Sequence, residues 1–335
     1  MRSLAIFAGL PVAALMLVGC SSMSESLTGL FDGEEDKQQM QELAATSAKA
    51  AAEAESNSEG GAEAGLAKHL LNEATDAVSA WAESMVPGTE VSISGQDNGK
   101  PEYSVATIQE IETETNSSGT VFWQGQVSNH DGGDRTTVNL GLGYRRLSSD
   151  ENWLFGANTF VDQEFPYDHQ RASIGLEAKS AAVDLTVNQY MALSKWKRAA
   201  AGNRERALDG QEIEVGAQVP YVPSARLFLN SFKWNGVDSA SDIEGISYSL
   251  QLNSSLGSGW VLEAGRKDFD SRPDEDFARI TYRLGLGSDV GSEDSAPFIS
   301  DKMFETGSVK HRTLEKVRRT NRIVKQTGGF KVSFR

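Results

Sequence analysis

The chain has 335 residues, which is enough for one large domain and a tail. With 39% hydrophobic residues and a mean hydropathy of −0.39, it is too polar to be a bundle of membrane-spanning helices. A net charge of −15 argues against a general nucleic-acid-binding protein, and a single cysteine, Cys20, excludes an internal disulfide.

The first residues have the pattern of an export signal. Residues 1–19 combine a charged start at Arg2 with an apolar run and a small residue before the cysteine. Leu17–Cys20 resembles the lipobox of bacterial lipoproteins, in which cleavage leaves a lipidated cysteine at the N-terminus. We therefore predict a lipoprotein signal peptide over residues 1–19 and lipidation at Cys20. The alternative is an ordinary signal peptide with an incidental cysteine.

The next two segments differ in composition. Residues 20–63 contain mainly Ala, Glu, Ser, Gly and Gln, so they cannot bury enough surface to offset the entropy of ordering. They predict an acidic, disordered tether, with binding to a cationic partner as the alternative. Residues 64–87 predict one amphipathic helix, which docks on the base of the domain or on a second copy. Its apolar residues recur at helical spacing: Leu66, Leu70, Ala74, Ala77, Val78, Trp81 and Met85.

From residue 88 to about residue 290 the pattern is that of β-strands. Between Asn152 and Trp196, three strands alternate, so that Phe155 and Val161 share one face while Asp162 lies on the other. These runs reach about ten residues, the length of a tilted strand that crosses a bilayer. The alternative at this stage is a large soluble β domain.

The same alternation predicts about twelve strands. Besides the three between residues 152 and 196, they cover residues 89–95, 103–111, 120–128, 135–145, 211–219, 225–234, 245–254, 259–267 and 276–286. An even number keeps both ends of the barrel on the periplasmic side. The charged stretch 197–210 is predicted as an external loop. The predicted fold class is therefore all-β: a closed antiparallel transmembrane β-barrel over residues 88–290, with an N-terminal helix and a C-terminal pore-threading linker.

The C-terminal segment has the opposite charge to the rest of the chain. Residues 309–335 contain nine Lys or Arg and one Glu, a net charge of +8. Two interpretations remain open for this basic linker or plug segment, assigned to residues 291–335: a tail in solution, or a linker paired with charges inside the lumen. The candidate lumen-lining residues are Asp162, Arg171, Glu177, Asp184, Glu212, Glu214 and Glu263.

Several residues, in chain order, carry a family resemblance. One strand has Trp153, Gly156, Asn158, Phe160 and Asp162, the next has Arg171, Gly175 and Glu177, and a hairpin then ends in Leu193-Ser194-Lys195-Trp196. Near the end, a basic, asparagine-bearing stretch includes Arg318, Arg319, Asn321 and Arg322. The region from about Ala77 to Val324 thus resembles the β-domain of the inverse autotransporters, the family of intimin and invasin.

The resemblance implies a twelve-stranded barrel in outer-membrane lipid of a Gram-negative bacterium, inserted by the barrel-assembly machinery. In that family the linker threads the pore and carries a C-terminal passenger to the surface. The sequence ends soon after the linker motif, so we expect no passenger within it and consider a separately encoded surface protein as a partner. We expect the lipid-anchored N-terminus on the periplasmic side. A plugged anchoring barrel and an open diffusion pore are the alternatives.

No motif predicts an enzyme, a cofactor or a metal site. The histidines are scattered without zinc-binding spacing: His69, His130, His169 and His311. Gly141-Leu142-Gly143 lies within a predicted strand and lacks the third glycine of a dinucleotide site, so close strand packing is the better interpretation. Glu212 and Glu214 suggest at most a phospholipase-like pair, without a Ser-His partner. We therefore expect no enzymatic activity, no cofactor and no nucleic-acid partner.

Overall fold

The computed structural model describes residues 88–96, 101–112, 119–130, 134–238, 240–253, 259–284 and 299–328. The predicted signal peptide, Cys20, the tether and the helix over residues 64–87 lie outside these residues. Among the described residues, the helical structure consists of short 3-10 turns at Ala200–Gly202 and Lys310–Arg312. No helix in this part of the chain is long and apolar enough to span a membrane.

Fifteen strands are formed by the described residues, and twelve of them make one closed antiparallel barrel. Strands β8 (Lys197–Arg198), β9 (Arg204–Ala207) and β15 (Lys325–Gly328) form a separate sheet. The barrel strands are β1 (Thr89–Gln96), β2 (Glu102–Ile111), β3 (Thr120–His130), β4 (Arg135–Leu147), β5 (Leu154–Phe165), β6 (His169–Lys179), β7 (Val183–Ala192), β10 (Gly210–Val219), β11 (Val222–Trp234), β12 (Ile243–Asn253), β13 (Trp260–Phe269) and β14 (Glu275–Arg283).

The barrel closes between its first and last strands. Each barrel strand pairs with the next barrel strand along the chain, and β1 pairs with β14, with Glu90 opposite Arg283 and Ile93 opposite Ile280. Closure satisfies the backbone groups that an open sheet would leave at its edges. The predicted closed antiparallel barrel of twelve strands is confirmed.

The two faces of the barrel wall have inverted polarity. Ile174 and Leu176 on β6 are 55% and 63% exposed, and Leu229 on β11 is 54% exposed. On the inner face, Asp162 is fully buried and Glu177 is 5% exposed. A soluble protein would bury the apolar side chains instead, so this arrangement fits a wall whose outer face contacts lipid.

Two inner glycines on β4 make room for aromatic rings. A Cβ on Gly141 would collide with the ring of Phe160, and a Cβ on Gly143 would collide with the ring of Phe122. Both rings belong to a buried cluster that includes Val317. The predicted role of this Gly-Leu-Gly stretch in close packing is therefore confirmed, and the rings form an apolar patch on the inner wall.

The predicted external loop over residues 197–210 is only partly a loop. Within it, β8 and β9 pair, and β9 also pairs with β15, placing Lys325 opposite Ala207 and Gly328 opposite Arg204. The prediction of a plain loop was wrong because strand pairing here depends on a partner far away in the chain. Short-range alternation contains no information about that partner.

Candidate functional site

Residues 309–325, called the inner segment below, contact both ends of the barrel. At the end that holds the start of β1, the amide of Val309 donates to the carbonyl of Glu151 at 2.9 Å. That carbonyl belongs to the turn between β4 and β5. At the opposite end, the amide of Leu208 donates to the carbonyl of Val324 at 3.0 Å, and Lys325 begins β15.

The turn that receives the start of the inner segment is ordered by its own side chains. Ser148 and Asn152 donate hydrogen bonds to the carboxylate of Asp150, and these bonds lower the pKa of that carboxyl group. Glu151 follows with a φ of 57°, in the left-handed region. Its carboxylate accepts a hydrogen bond from the hydroxyl of Ser308 at 2.6 Å. The turn therefore presents both backbone and side-chain acceptors to the incoming chain.

Arg319 binds the inner wall through both arms of its guanidinium group. Nη1 lies 2.9 Å from Oδ1 of Asp162, Nη2 lies 2.8 Å from Oδ2, and both side chains are fully buried. Arg171 binds the same carboxylate through Nε at 2.8 Å. Its remaining arms donate to the carbonyls of Thr320 at 2.6 Å and Arg322 at 3.1 Å. The wall thus binds the side chains and the backbone of the inner segment together.

A second contact surrounds Glu212 on β10. Its carboxylate accepts hydrogen bonds from the amide of Thr320 at 3.0 Å and from the Thr320 hydroxyl at 2.8 Å. The hydroxyl of Tyr190 donates to Glu212 and accepts from the amide of Thr320 at 2.8 Å. Asn188 donates to Glu212 at 2.9 Å and to the carbonyl of Arg318 at 3.0 Å. This network fixes the backbone of the inner segment in the half of the barrel nearer to β15.

Arg318 points in a different direction and bridges two acidic residues of the wall. Nη2 lies 3.1 Å from Oε2 of Glu214 and 3.0 Å from Oε1 of Glu263. The guanidinium carbon lies 3.6 Å from the centre of the Phe228 ring, which is a cation–π contact. The two consecutive arginines of the inner segment therefore bind different strands of the barrel.

A third cluster lies closer to the start of β1. Arg312 binds Asp184 with both arms, at 2.7 and 2.9 Å. Glu315 accepts from Arg312 at 2.9 Å and from Lys179 at 3.0 Å, while Arg145 donates to its carbonyl at 2.6 Å. Each charge in the cluster has an opposite charge in contact, which buried ion pairs require.

One group among the described residues brings metal-ligating side chains together. Oxygen or nitrogen atoms of Glu164, His169 and Glu205 lie within 4.8 Å of one another. Arg135 already donates to Glu164 at 2.7 Å and to Glu205 at 2.8 Å, and Lys325 donates to Glu164 at 2.7 Å. Two cations thus neutralise the two carboxylates. The chemistry favours an ion-pair network that joins β15 to the barrel rim over a metal site.

A family model described as the inverse autotransporter β-domain matches residues 37–321, which is most of the chain. The chain belongs to the inverse autotransporter β-domain family. The sequence resemblance to this family is therefore confirmed.

This inverse autotransporter β-domain is similar to curated proteins over part of its length. Invasin from Yersinia enterocolitica is 33% identical over 104 residues, which are 30% of this chain and 12% of invasin. Intimin from Escherichia coli O127:H6 is 32% identical over 117 residues, 34% of this chain and 12% of intimin. The matched regions thus span a small part of these relatives. A solved structure from a study of in-meso crystallization of membrane proteins has a TM-score of 0.58. It is 17% identical, covers 72% of this chain and 99% of its own, and shows the similarity of fold alone.

The β-domain brings most of the sequence-predicted polar residues into three contact groups. Asp162 and Arg171 meet Arg319 and the carbonyl of Arg322, and Asp184 meets Arg312. Glu212, Glu214 and Glu263 surround Arg318 and Thr320, and Asn321 donates to Gln126 at 3.0 Å. Glu177 instead binds Arg145 at 2.6 Å and Lys179 at 3.1 Å. It acts on the inner segment only through these two cations.

Sequence reasoning missed several residues of this β-domain that contact the inner segment. Tyr190, Arg145 and Lys179 were not among the predicted lumen residues, although alternation places Tyr190 on the face of Asp184 and Lys179 on the face of Glu177. Glu90 on β1 was also missed, and it binds Lys316 at 3.1 Å. The alternation along each strand could have shown that these side chains face the lumen. Their partners could not be predicted, because the inner segment has no alternating pattern.

Proposed function

We propose that this inverse autotransporter β-domain is an outer-membrane barrel of the translocator type, whose inner segment occupies the pore. The observation that carries the proposal is the chain of contacts from Glu151 at one end to β9 at the other. A segment that merely rested on one rim would not need buried ion pairs along the wall. In this proposal the start of β1 faces the periplasm, and β15 lies at the cell surface.

The direction of the inner segment supports a role of the barrel in export. Chain that follows β15 starts on the outer side, so whatever is attached there is displayed. We propose that the exported part is either a continuation of the chain or a separately encoded surface protein. We also propose insertion by the barrel-assembly machinery; the closed fold supports this, since the strands of such a barrel cannot enter a bilayer one at a time.

Surface protease digestion tests the direction. An epitope is added after Arg335, and intact cells are treated with protease. A matched control carries the same epitope at the turn of Pro220 and Tyr221, at the periplasmic end. We expect cleavage of the first epitope and protection of the second. Protection of both would refute export through the pore.

A conductance measurement tests whether the inner segment is a plug. The full chain and a variant lacking residues 309–335 are compared in planar bilayers. We expect the variant to conduct severalfold more, because removing the inner segment frees the centre of a twelve-stranded barrel. Equal conductance of the two proteins would refute the plug.

A plugged anchoring barrel is a second candidate function. The buried ion pairs of Arg312 and Arg319 favour it, because they hold the inner segment in one position. In that case the deletion would still raise the conductance, and the end of the chain would be accessible without displaying another protein.

We further propose that Cys20 is lipidated and anchors the N-terminus on the periplasmic side of the outer membrane. The lipobox pattern supports this proposal. Palmitate labelling of the wild-type chain and of Cys20→Ala provides the test, with undiminished labelling of the variant as the refuting outcome.

A further inference from the structure

The inner segment leaves part of the lumen unfilled. Among the acidic residues that bind its arginines, Asp162, Asp184 and Glu214 lie on β5, β7 and β10. A cavity of about 580 Å³ lies beside the inner segment and is lined mainly by residues of β1 to β3, of β10 to β14 and of the inner segment itself. We call this cavity the side passage. Arg318 reaches across one margin of it to Glu263.

The side passage extends along the barrel. Glu90 and Arg283 line it near the start of β1, where they form an ion pair at 2.9 Å. Lys267 and Glu275 line it near the opposite end, where β13 and β14 are joined. Residues near both ends of the barrel therefore line the same cavity.

The wall of the side passage carries short hydroxyl side chains. They leave room between the wall and the inner segment, and each can hydrogen-bond to water. A cavity of this volume with this lining holds water, because it is both polar and larger than single-water sites. The hydroxyl-bearing residues of the wall are Ser92, Ser94, Ser104, Ser128, Ser247, Ser249 and Thr281.

The residues that line the side passage carry more positive than negative charges. They include twelve Lys or Arg residues and nine Asp or Glu residues, an excess of three, while Asp162 and Glu164 behind the lining pair with Arg319 and Lys325. Arg279 illustrates this excess, because it is 43% exposed and lies 3.5 Å from Glu263, a carboxylate that also binds Arg318. Rings and clusters of basic residues lower the barrier for anions in a narrow pore.

We propose that the barrel conducts water and small inorganic anions such as chloride through the side passage while the inner segment remains bound. This inference rests on the proposed insertion of the barrel in a membrane. It goes beyond the plug, because the side passage stays open beside the bound inner segment. With the inner segment bound, the barrel therefore still conducts small anions selectively.

The experiment uses the full chain in planar bilayers bathed in chloride, with a salt gradient across the membrane. We expect a small steady conductance whose reversal potential is shifted toward the equilibrium potential of chloride. Ser247→Trp places a large ring in the side passage and should lower this conductance at least about twofold. Its neighbour Ile246 is 48% exposed on the outer face, so Ile246→Trp is the matched control and should leave the conductance unchanged.

Charge reversal tests the selectivity separately. The double variant Lys267→Glu and Arg279→Glu changes the balance by four charges, from an excess of three basic residues to an excess of one acidic residue. We expect the reversal potential to move toward the equilibrium potential of the cation. Heat-dependent migration on gels confirms that each variant has folded before it is recorded.

The outcomes separate this inference from the proposed function. If the full chain is silent while the variant lacking residues 309–335 conducts, the side passage is closed, and the inference is overturned although the plug stands. A reversal potential that stays fixed after charge reversal, or a conductance equal in Ser247→Trp and Ile246→Trp, also overturns it. Silence of both the full chain and the deletion variant after verified insertion contradicts the proposed pore itself.

Discussion

Replacing Arg319 by Met tests whether buried ion pairs hold the inner segment in place. Methionine keeps much of the packing on the Phe160 ring, whose centre lies 4.3 Å from the guanidinium carbon. It removes both hydrogen bonds to Asp162 and the bond from Nη2 to the hydroxyl of Ser173 at 3.0 Å. The substitution therefore isolates the charged contacts from the apolar ones.

The structure sets the size of the expected effect. Removing one partner of a fully buried ion pair costs about 3–5 kcal/mol when the remaining charge has no other partner. Asp162 retains Arg171 at 2.8 Å and Asn139 at 2.7 Å, so the loss is smaller. We estimate a loss of about 2–3 kcal/mol in the binding of the inner segment, which raises its unbound population about 30- to 150-fold.

Single-channel recording measures that population directly. Unbinding of the inner segment should appear as brief openings with the conductance of the variant lacking residues 309–335. Arg322→Met is the matched control, because Arg322 makes a 2.8 Å ion pair with Glu102 but its side chain is 40% exposed. Such a pair contributes about 0–1 kcal/mol, so openings should rise less than about fivefold. Openings equally frequent in both variants would refute the reasoning.

Three further predictions concern the wall and the rim. Gly143→Val displaces the Phe122 ring and should lower the free energy of unfolding by about 1–3 kcal/mol. The heat-dependent gel shift should then occur at a lower temperature. The same temperature as in Ala157→Val, a substitution on the outer face, would contradict this prediction. Leu176→Arg on the outer face should lower the free energy of unfolding in lipid by about 2–4 kcal/mol, measured with denaturant. Leu193→Arg, beyond the end of β7, should lower it by about 0–1 kcal/mol. Equal losses would show that this face does not contact lipid. Lys325→Met removes the ammonium group that binds Glu164 and should speed amide hydrogen exchange in β15. Lys310→Met, at an exposed position, is the control and should leave the exchange unchanged. Wild-type protection in Lys325→Met would mean that the ion pair of Lys325 and Glu164 does not hold β15.

The sequence by itself determined the architecture of the wall. Strand alternation is a local property with a period of two residues, so it separates outward Ile174 and Leu176 from inward Glu177 without knowledge of any partner. The number of strands and the polarity of the two faces follow from the same pattern. For the same reason, the acidic residues that contact the inner segment could be predicted from the sequence. The sequence left two possibilities for the basic segment: pairing with these residues or a tail in solution.

The tertiary structure alone decided which charges meet and where space remains. Arg319 and Asp162 are far apart in the chain, and their contact depends on the closed curve of the barrel and on the path of the inner segment. The strand pairing of β15 with β9 has the same origin, and so does the side passage along β1 and β12 to β14. Distances across a lumen are set by closure and register together. A pattern read along one strand specifies which face a side chain occupies, but not what lies opposite to it.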